Sequence, residues 1–159
     1  MKTDELRVAV RRIMDERVPP EARLQAVCDL LRGEMPDYHW VGYYLVDRAS
    51  PGELVLGPFA GEPTEHTRIS FGQGICGQAA STLEVFVVDD VEKESNYLSC
   101  SPHVRSEFVA PVMYRGTLVG ELDLDSHTIA AFGEADSALL KWVAETTAEA
   151  VAEAASIEV

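Results

Sequence analysis

The sequence predicts an α+β fold: a single domain in which helices pack against an antiparallel sheet. Two observations carry that prediction. Apolar residues recur at helical spacing near both ends of the chain, and between them lie two pairs of strand-like runs, each pair joined by a tight turn. A length of 159 residues suits one domain with a sizeable core. No internal repeat, low-complexity tract or composition break marks a second domain.

Leu6, Val10, Ile13 and Met14 fall on one helical face, and Pro19-Pro20 ends that run. Pro20 suits the first turn of a second helix, whose face is Leu24, Val27, Cys28 and Leu31. Trp40 to Val46, rich in aromatic and β-branched residues, reads as a strand. Ser50-Pro51-Gly52 turns the chain into a second strand, 53–56, so the two form a hairpin. A short helix over 75–81 follows a glycine-rich loop, and 85–88 reads as a short strand. Runs 108–114 and 117–124 flank Arg115-Gly116 as a second hairpin. One long helix is expected over 135–154, with Leu139, Val143 and Val151 inward. All helices are expected on one face of the sheet.

Composition excludes several functions. With 27 acidic and 13 basic residues the net charge is −14, which repels phosphate backbones and anionic lipid. No nucleic-acid or membrane role is therefore expected, and no apolar run could span a bilayer. Three cysteines without a CxxC pair argue for a reduced, cytoplasmic setting rather than a disulfide framework.

The candidate chemistry lies in two thiols and a row of acids. Cys28 belongs to an apolar helical stripe and reads as structural. Cys76 opens a short helix after glycines, where backbone N–H groups should favour its thiolate; the alternative is tight packing. Cys100 lies in a polar loop beside Pro102, where packing is a poor reason for cysteine. Glu121, Asp123 and Asp125 alternate with leucines and so share one sheet face. That face is either solvated or built to meet a cation, and the ammonium of an amino acid is a natural one. Trp40 and Tyr44 suit a core or a substrate wall equally. His66 sits in a loop, either beside a thiol or at the surface, while His39, His103 and His127 show no usable pattern. Zinc is not expected, because close paired ligands are missing.

Several ordered blocks resemble a known family. They are Trp40-Val41-Gly42-Tyr43-Tyr44, residues 54–61 (LVLGPFAG), residues 67–77 (TRISFGQGICG), Ser106-Glu107-Phe108-Val109-Ala110-Pro111 and residues 120–126 (GELDLDS). On these the chain resembles the GAF-domain free methionine-R-sulfoxide reductases, from about Tyr38 to the final helix. The resemblance implies a GAF-like single domain over 1–159: a six-stranded antiparallel sheet flanked by N- and C-terminal helices, with the helical segment 1–36 packed on a core of 37–156.

It also implies a chemistry. A thiolate attacks the sulfur of free methionine-R-sulfoxide, methionine leaves, and the resulting sulfenic acid condenses with a resolving cysteine. Thioredoxin, or another dithiol, restores the thiols, and no cofactor is bound. Cys100 matches the family nucleophile and Cys76 a second family cysteine, although the helix-start argument alone favours Cys76 as the more acidic thiol. His66 stands at the third family position, so the resemblance leaves Cys76 as the internal partner of Cys100. Glu107, Asp123 and Asp125 match ligand-contacting positions; Glu121 departs from the apolar residue common there and is left out of the site. The alternatives are a non-catalytic GAF sensor for a small molecule and a dimerisation module. A homodimer would use the alanine face Ala144, Ala148, Ala152 and Ala155.

Overall fold

A computed structural model describes residues 2–98 and 101–158. Two N-terminal helices, α1 (Thr3–Met14) and α2 (Pro20–Glu34), precede the hairpin β1 (Trp40–Val46) and β2 (Glu53–Ala60). After β3 (Arg68–Ser70) come helix α3 (Gly74–Thr82), strand β4 (Phe86–Val88) and a 3-10 turn at Val91–Lys93. A second hairpin, β5 (Ser106–Tyr114) and β6 (Thr117–Ser126), leads into α4 (Glu134–Thr146) and α5 (Ala148–Ala154). The six strands run in the order β3-β2-β1-β6-β5-β4, and each neighbouring pair is antiparallel. This is the expected sheet. Strand β3 and the second half of β2 go beyond the expected strands: Gly57 and Pro58 interrupt the apolar pattern in β2, and β3, Arg68-Ile69-Ser70, is too short to show a period.

The sheet is covered on both faces, contrary to the one-sided arrangement expected. Alternation in the central strands divides the core. Val41, Tyr43 and Leu45 of β1, Phe108 and Ala110 of β5, and Leu122 and Leu124 of β6 pack with the buried faces of α1, α2, α4 and α5. Trp40, Tyr44 and Val109 point the other way, where Ile75, Cys76, Ala79 and Ala80 of α3 cover them. Residues of opposite parity leave opposite faces of a pleated strand, so one run of alternating residues serves two separate cores.

The expected C-terminal helix is broken in two. Thr147 adopts φ −94°, ψ 0° between α4 and α5. Its hydroxyl donates to the Val143 carbonyl oxygen at 2.8 Å and lies 2.9 Å from the Tyr43 hydroxyl inside the core. A threonine bonding back along its own helix competes with the regular ladder. The break also accounts for the alanine face: Ala144, Ala148 and Ala152 are buried in the chain's own core and Ala155 packs against its edge, so they form no free dimer surface.

Because Tyr43 and Thr147 satisfy each other in a dry core, Thr147→Val should lower the unfolding free energy by about 1–3 kcal/mol. Adding Tyr43→Phe should cost less than the sum of the single changes. Urea denaturation of the four proteins measures the coupling, and strictly additive losses would show that the pair does not act as a unit.

Candidate active site

The site lies between α3 and the middle of the sheet. In β6, Glu121, Asp123 and Asp125 alternate with Leu122 and Leu124; the leucines enter the helix-side core and the acids turn toward α3. Pairing with β1 sets Trp40 opposite Asp125, Gly42 opposite Asp123 and Tyr44 opposite Glu121. Pairing with β5 sets Glu107 opposite Asp125. Gly42 is required here: a Cβ would lie 2.3 Å from the Trp40 ring, which folds across it. Trp40 is held further by its stack on Phe59, at 5.6 Å between centroids, and by the indole N–H donating to the Glu62 carbonyl oxygen at 3.0 Å.

The acids are buried, not solvated. Glu121 is 0% exposed, Asp123 and Asp125 2% each, and Glu107 6%. Glu107 hydrogen-bonds to both Asp123 and Asp125, and the Cys76 thiol to Asp123. A hydrogen bond between two carboxyl groups needs a proton on one of them, and burial, which raises Asp123 and Asp125, acts in that sense. Cys76 Sγ and oxygens of Glu107 and Asp123 all lie within 4.8 Å of one another. Both Glu121 oxygens, Asp123 Oδ1 and Asp125 Oδ1 have no ordinary hydrogen-bond partner among the described residues. The Cys76 sulfur is a weak donor toward Glu121 and does not change that.

Two cavities flank this row. A small one, about 10 Å³, is lined by Tyr44, His66, Cys76, Leu98, Glu107 and Asp123 and has room for about one water. The Tyr44 hydroxyl donates to the His66 carbonyl oxygen at 2.7 Å. A larger one, about 100 Å³, has Asp125 and Trp40 on its wall, with Arg32, His39, Ser101 and His127. Here the fold assembles histidines that showed no pattern in sequence: His39 and His127 stack at 3.9 Å, and the His103 ring lies 5.8 Å from that of His127. Cys100, the expected nucleophile, lies outside the described residues.

A GAF domain model matches residues 18–152. The chain belongs to the GAF domain family. It is 42% identical to GAF domain-containing protein A of Dictyostelium discoideum over 67% of this chain and 66% of that protein. Among solved structures, the free methionine-R-sulfoxide reductase of Neisseria meningitidis, solved with its substrate, superposes with a TM-score of 0.87. It is 36% identical and the match covers 97% of this chain and 90% of that one. The type II free methionine-R-sulfoxide reductase of Thermoplasma acidophilum superposes at 0.81 with 35% identity, over 91% of this chain and 96% of that one.

In this GAF domain the expected thiolate at Cys76 is not favoured. Burial pushes the Cys76 thiol well above its ordinary range, and Asp123, Glu121 and Glu107 push it further. The helix start does not offset this, and its first N–H is engaged elsewhere: Gly74 N–H donates to Asn96 Oδ1 at 2.9 Å. Asn96 also donates to the Gly72 carbonyl oxygen at 2.9 Å, and Leu98 covers Gly74, where a Cβ would come within 2.8 Å of Leu98 Cγ. Gly74 itself sits at φ +65°, in the left-handed region. Cys28 is buried in the helix-side core, with its thiol also raised by burial. Glu121, left out of the expected site, belongs to the buried cluster; its strict alternation with Asp123 and Asp125 was the signal for it.

Burial raises Glu121 and Asp125 well above the ordinary carboxylate range and raises Asp123 as well. An acid whose pKa is higher folded than unfolded gives its full stabilisation below the unfolded value and loses it as pH climbs toward the folded one. Stability should therefore fall as pH rises from about 4 through neutrality. Glu121→Gln should flatten that decline by removing one titrating group. Urea denaturation across a pH series checks this; an unchanged slope would show that Glu121 ionises freely in the fold.

Proposed function

We propose that this chain reduces the R-sulfoxide of free methionine. The observation that carries the reading is the buried row Glu107, Asp123 and Asp125: acids gathered in a site largely closed to water, with Asp123 Oδ1 and Asp125 Oδ1 lacking a hydrogen-bond partner among the described residues. It lies in a fold whose neighbours at 35–36% identity are named for that activity. A free amino acid brings the ammonium such a row demands, whereas a peptide-bonded residue brings a neutral amide. The larger cavity offers Asp125 to that ammonium and the Trp40 ring to the methyl–sulfur end.

In the proposed reaction a carboxyl group of the cluster protonates the sulfoxide oxygen while a thiolate bonds to sulfur, and that oxygen leaves as water. Water then attacks the cysteine sulfur of the resulting sulfonium, the S–S bond breaks, methionine leaves reduced and cysteine is left as sulfenic acid. Cys100 takes the attacking role through the family resemblance. The Cys76 thiol, raised by its acid neighbours, is assigned the later step: it gives up its proton, its sulfur attacks the sulfenic sulfur, hydroxide leaves as water and a disulfide forms. Thioredoxin or another dithiol then reduces the disulfide by exchange, in a reduced cytoplasmic setting.

The decisive assay is loss of free methionine-R-sulfoxide coupled to thioredoxin-dependent NADPH consumption. The R epimer should turn over and the S epimer hardly at all; equal rates on an N-acetylated substrate would remove the ammonium from the argument. Asp125→Asn, nearly isosteric but uncharged, should cost about 2–5 kcal/mol in kcat/KM, as expected when one member of a desolvated charge pair is removed. An unchanged kcat/KM would take Asp125 out of substrate binding.

Recycling has its own readout. One equivalent of substrate should yield a Cys76–Cys100 disulfide, with Cys28 left as a free thiol. Cys76→Ser should keep one turnover and slow cycling; Cys100→Ser should abolish even the first. Peptide mapping of the oxidised protein decides between this route and a persistent Cys100 sulfenic acid reduced directly by an external thiol.

A further inference from the structure

We propose that Arg32 binds the α-carboxylate of the substrate and makes the larger cavity a site for a zwitterion, selecting free amino acids by both of their charged ends. This rests on the reductase reading and extends it from the ammonium, assigned to Asp125, to the opposite charge. The cavity, about 100 Å³, carries both Asp125 and Arg32 on its wall.

The acid row creates the need for such a cation. Carboxylates that attract an ammonium repel the carboxylate attached to the same carbon, and a chain of net charge −14 adds to that repulsion. Glu62, on the same wall, acts in the same unfavourable sense. A free amino acid therefore gains from this cavity only if a positive group meets its other end. Among the described residues, Arg32 is the only lysine or arginine lining it.

The backbone keeps the two charges close. Arg32 stands in the last turn of α2, and its Nε–H donates to the His39 carbonyl oxygen at 3.0 Å. The His39 N–H donates in turn to the Asp125 carbonyl oxygen, also at 3.0 Å. The guanidinium and the strand that carries Asp125 are thus tied through a single residue. The His39 ring is fixed as well, stacked on His127 and accepting the His127 backbone N–H on Nδ1 at 3.0 Å.

The rest of the Arg32 head remains for a ligand. With Nε engaged, its Nη groups make no hydrogen bond, and Arg32 joins no ion pair, among the described residues. A guanidinium offers planar paired donors that match a carboxylate in two parallel hydrogen bonds. A peptide-bonded residue presents a neutral amide at this end and cannot use them as a charge pair.

The test compares methionine-R-sulfoxide with its C-terminal amide, which keeps the ammonium and loses the carboxylate. On the wild-type chain the amide should show a KM roughly tenfold or more above that of the free acid, as expected for a lost charge-assisted hydrogen bond. Arg32→Gln should raise KM for the free acid by a similar factor, with the loss falling on KM rather than kcat, and should treat acid and amide alike. A carboxylate held equally in ground and transition states gives that split. Arg32→Lys keeps the charge without the fork and should recover part of the preference. Arg32 is exposed, so both variants should fold, and thermal melting checks it. Calorimetric titration with L-methionine and L-methioninamide reads the same preference without turnover. Arg32-dependent binding of L-methionine by a chain with no reductase activity would remove the reductase reading and keep the carboxylate site. Reductase activity that treats acid and amide alike on the wild-type chain, or a preference that survives intact in Arg32→Gln, would overturn the carboxylate site alone. A chain that reduces neither sulfoxide and binds neither ligand would overturn both.

Discussion

The structure turns on the burial of like-charged carboxylates against a single helix. Three acids on alternate positions of β6 would ordinarily mark a solvated face, since each ionised group in a dry site costs several kcal/mol. Here α3 lies over them and the strand pairs on both sides, so little of their surface meets water. Each acid must share a proton, keep its own, or meet a cation. The hydrogen bonds from Glu107 to Asp123 and Asp125 are the first solution. Glu121 has no such partner and is left to the second. The third is what the site offers to a ligand.

That constraint explains features that otherwise look unrelated. The α3 helix must come close enough to exclude water, and Gly77 permits it: a Cβ there would lie 2.5 Å from the Ser70 carbonyl oxygen. Gly42 lets the Trp40 ring fold flat beside the acid row instead of standing off it. Asn96 bridges Gly72 and Gly74 and brings Leu98 over the helix start, so the cavity at Cys76 is sealed to about one water. The same sealing keeps Cys76 protonated. A thiol at a helix start is usually acidified by free N–H groups, but burial and adjacent carboxylates act in the opposite sense, and here they dominate.

Much of this was legible in the sequence. Strand β1 lies where its aromatic and β-branched run placed it, and both hairpins follow their turn residues, because period and turn chemistry are local properties. The shared face of Glu121, Asp123 and Asp125 was equally legible; what covers that face was not, since nothing local in 75–81 says on which side of the sheet the helix lands. The Thr147 break escaped for the same reason: its cause is the Tyr43 hydroxyl, 104 positions away in the chain. The stack of His39 on His127 depends on β1 and β6 being neighbours, a pairing periodicity does not disclose. Setting Glu121 aside because it departed from a family pattern gave resemblance more weight than alternation, and alternation described its position correctly.

The acids and the thiol also constrain each other. Carboxylates placed to receive an ammonium raise the pKa of any cysteine among them, so the group best placed to sense the ligand's charge is poorly placed to attack first. A cation arriving beside Cys76 reverses that balance: it neutralises the acids and favours the thiolate in one event. An ammonium would do so through the positive charge it brings beside the acids. Cys76 is thus a thiol held among acids whose burial and charge both keep its proton in place, and His66 lies on the wall of the same cavity.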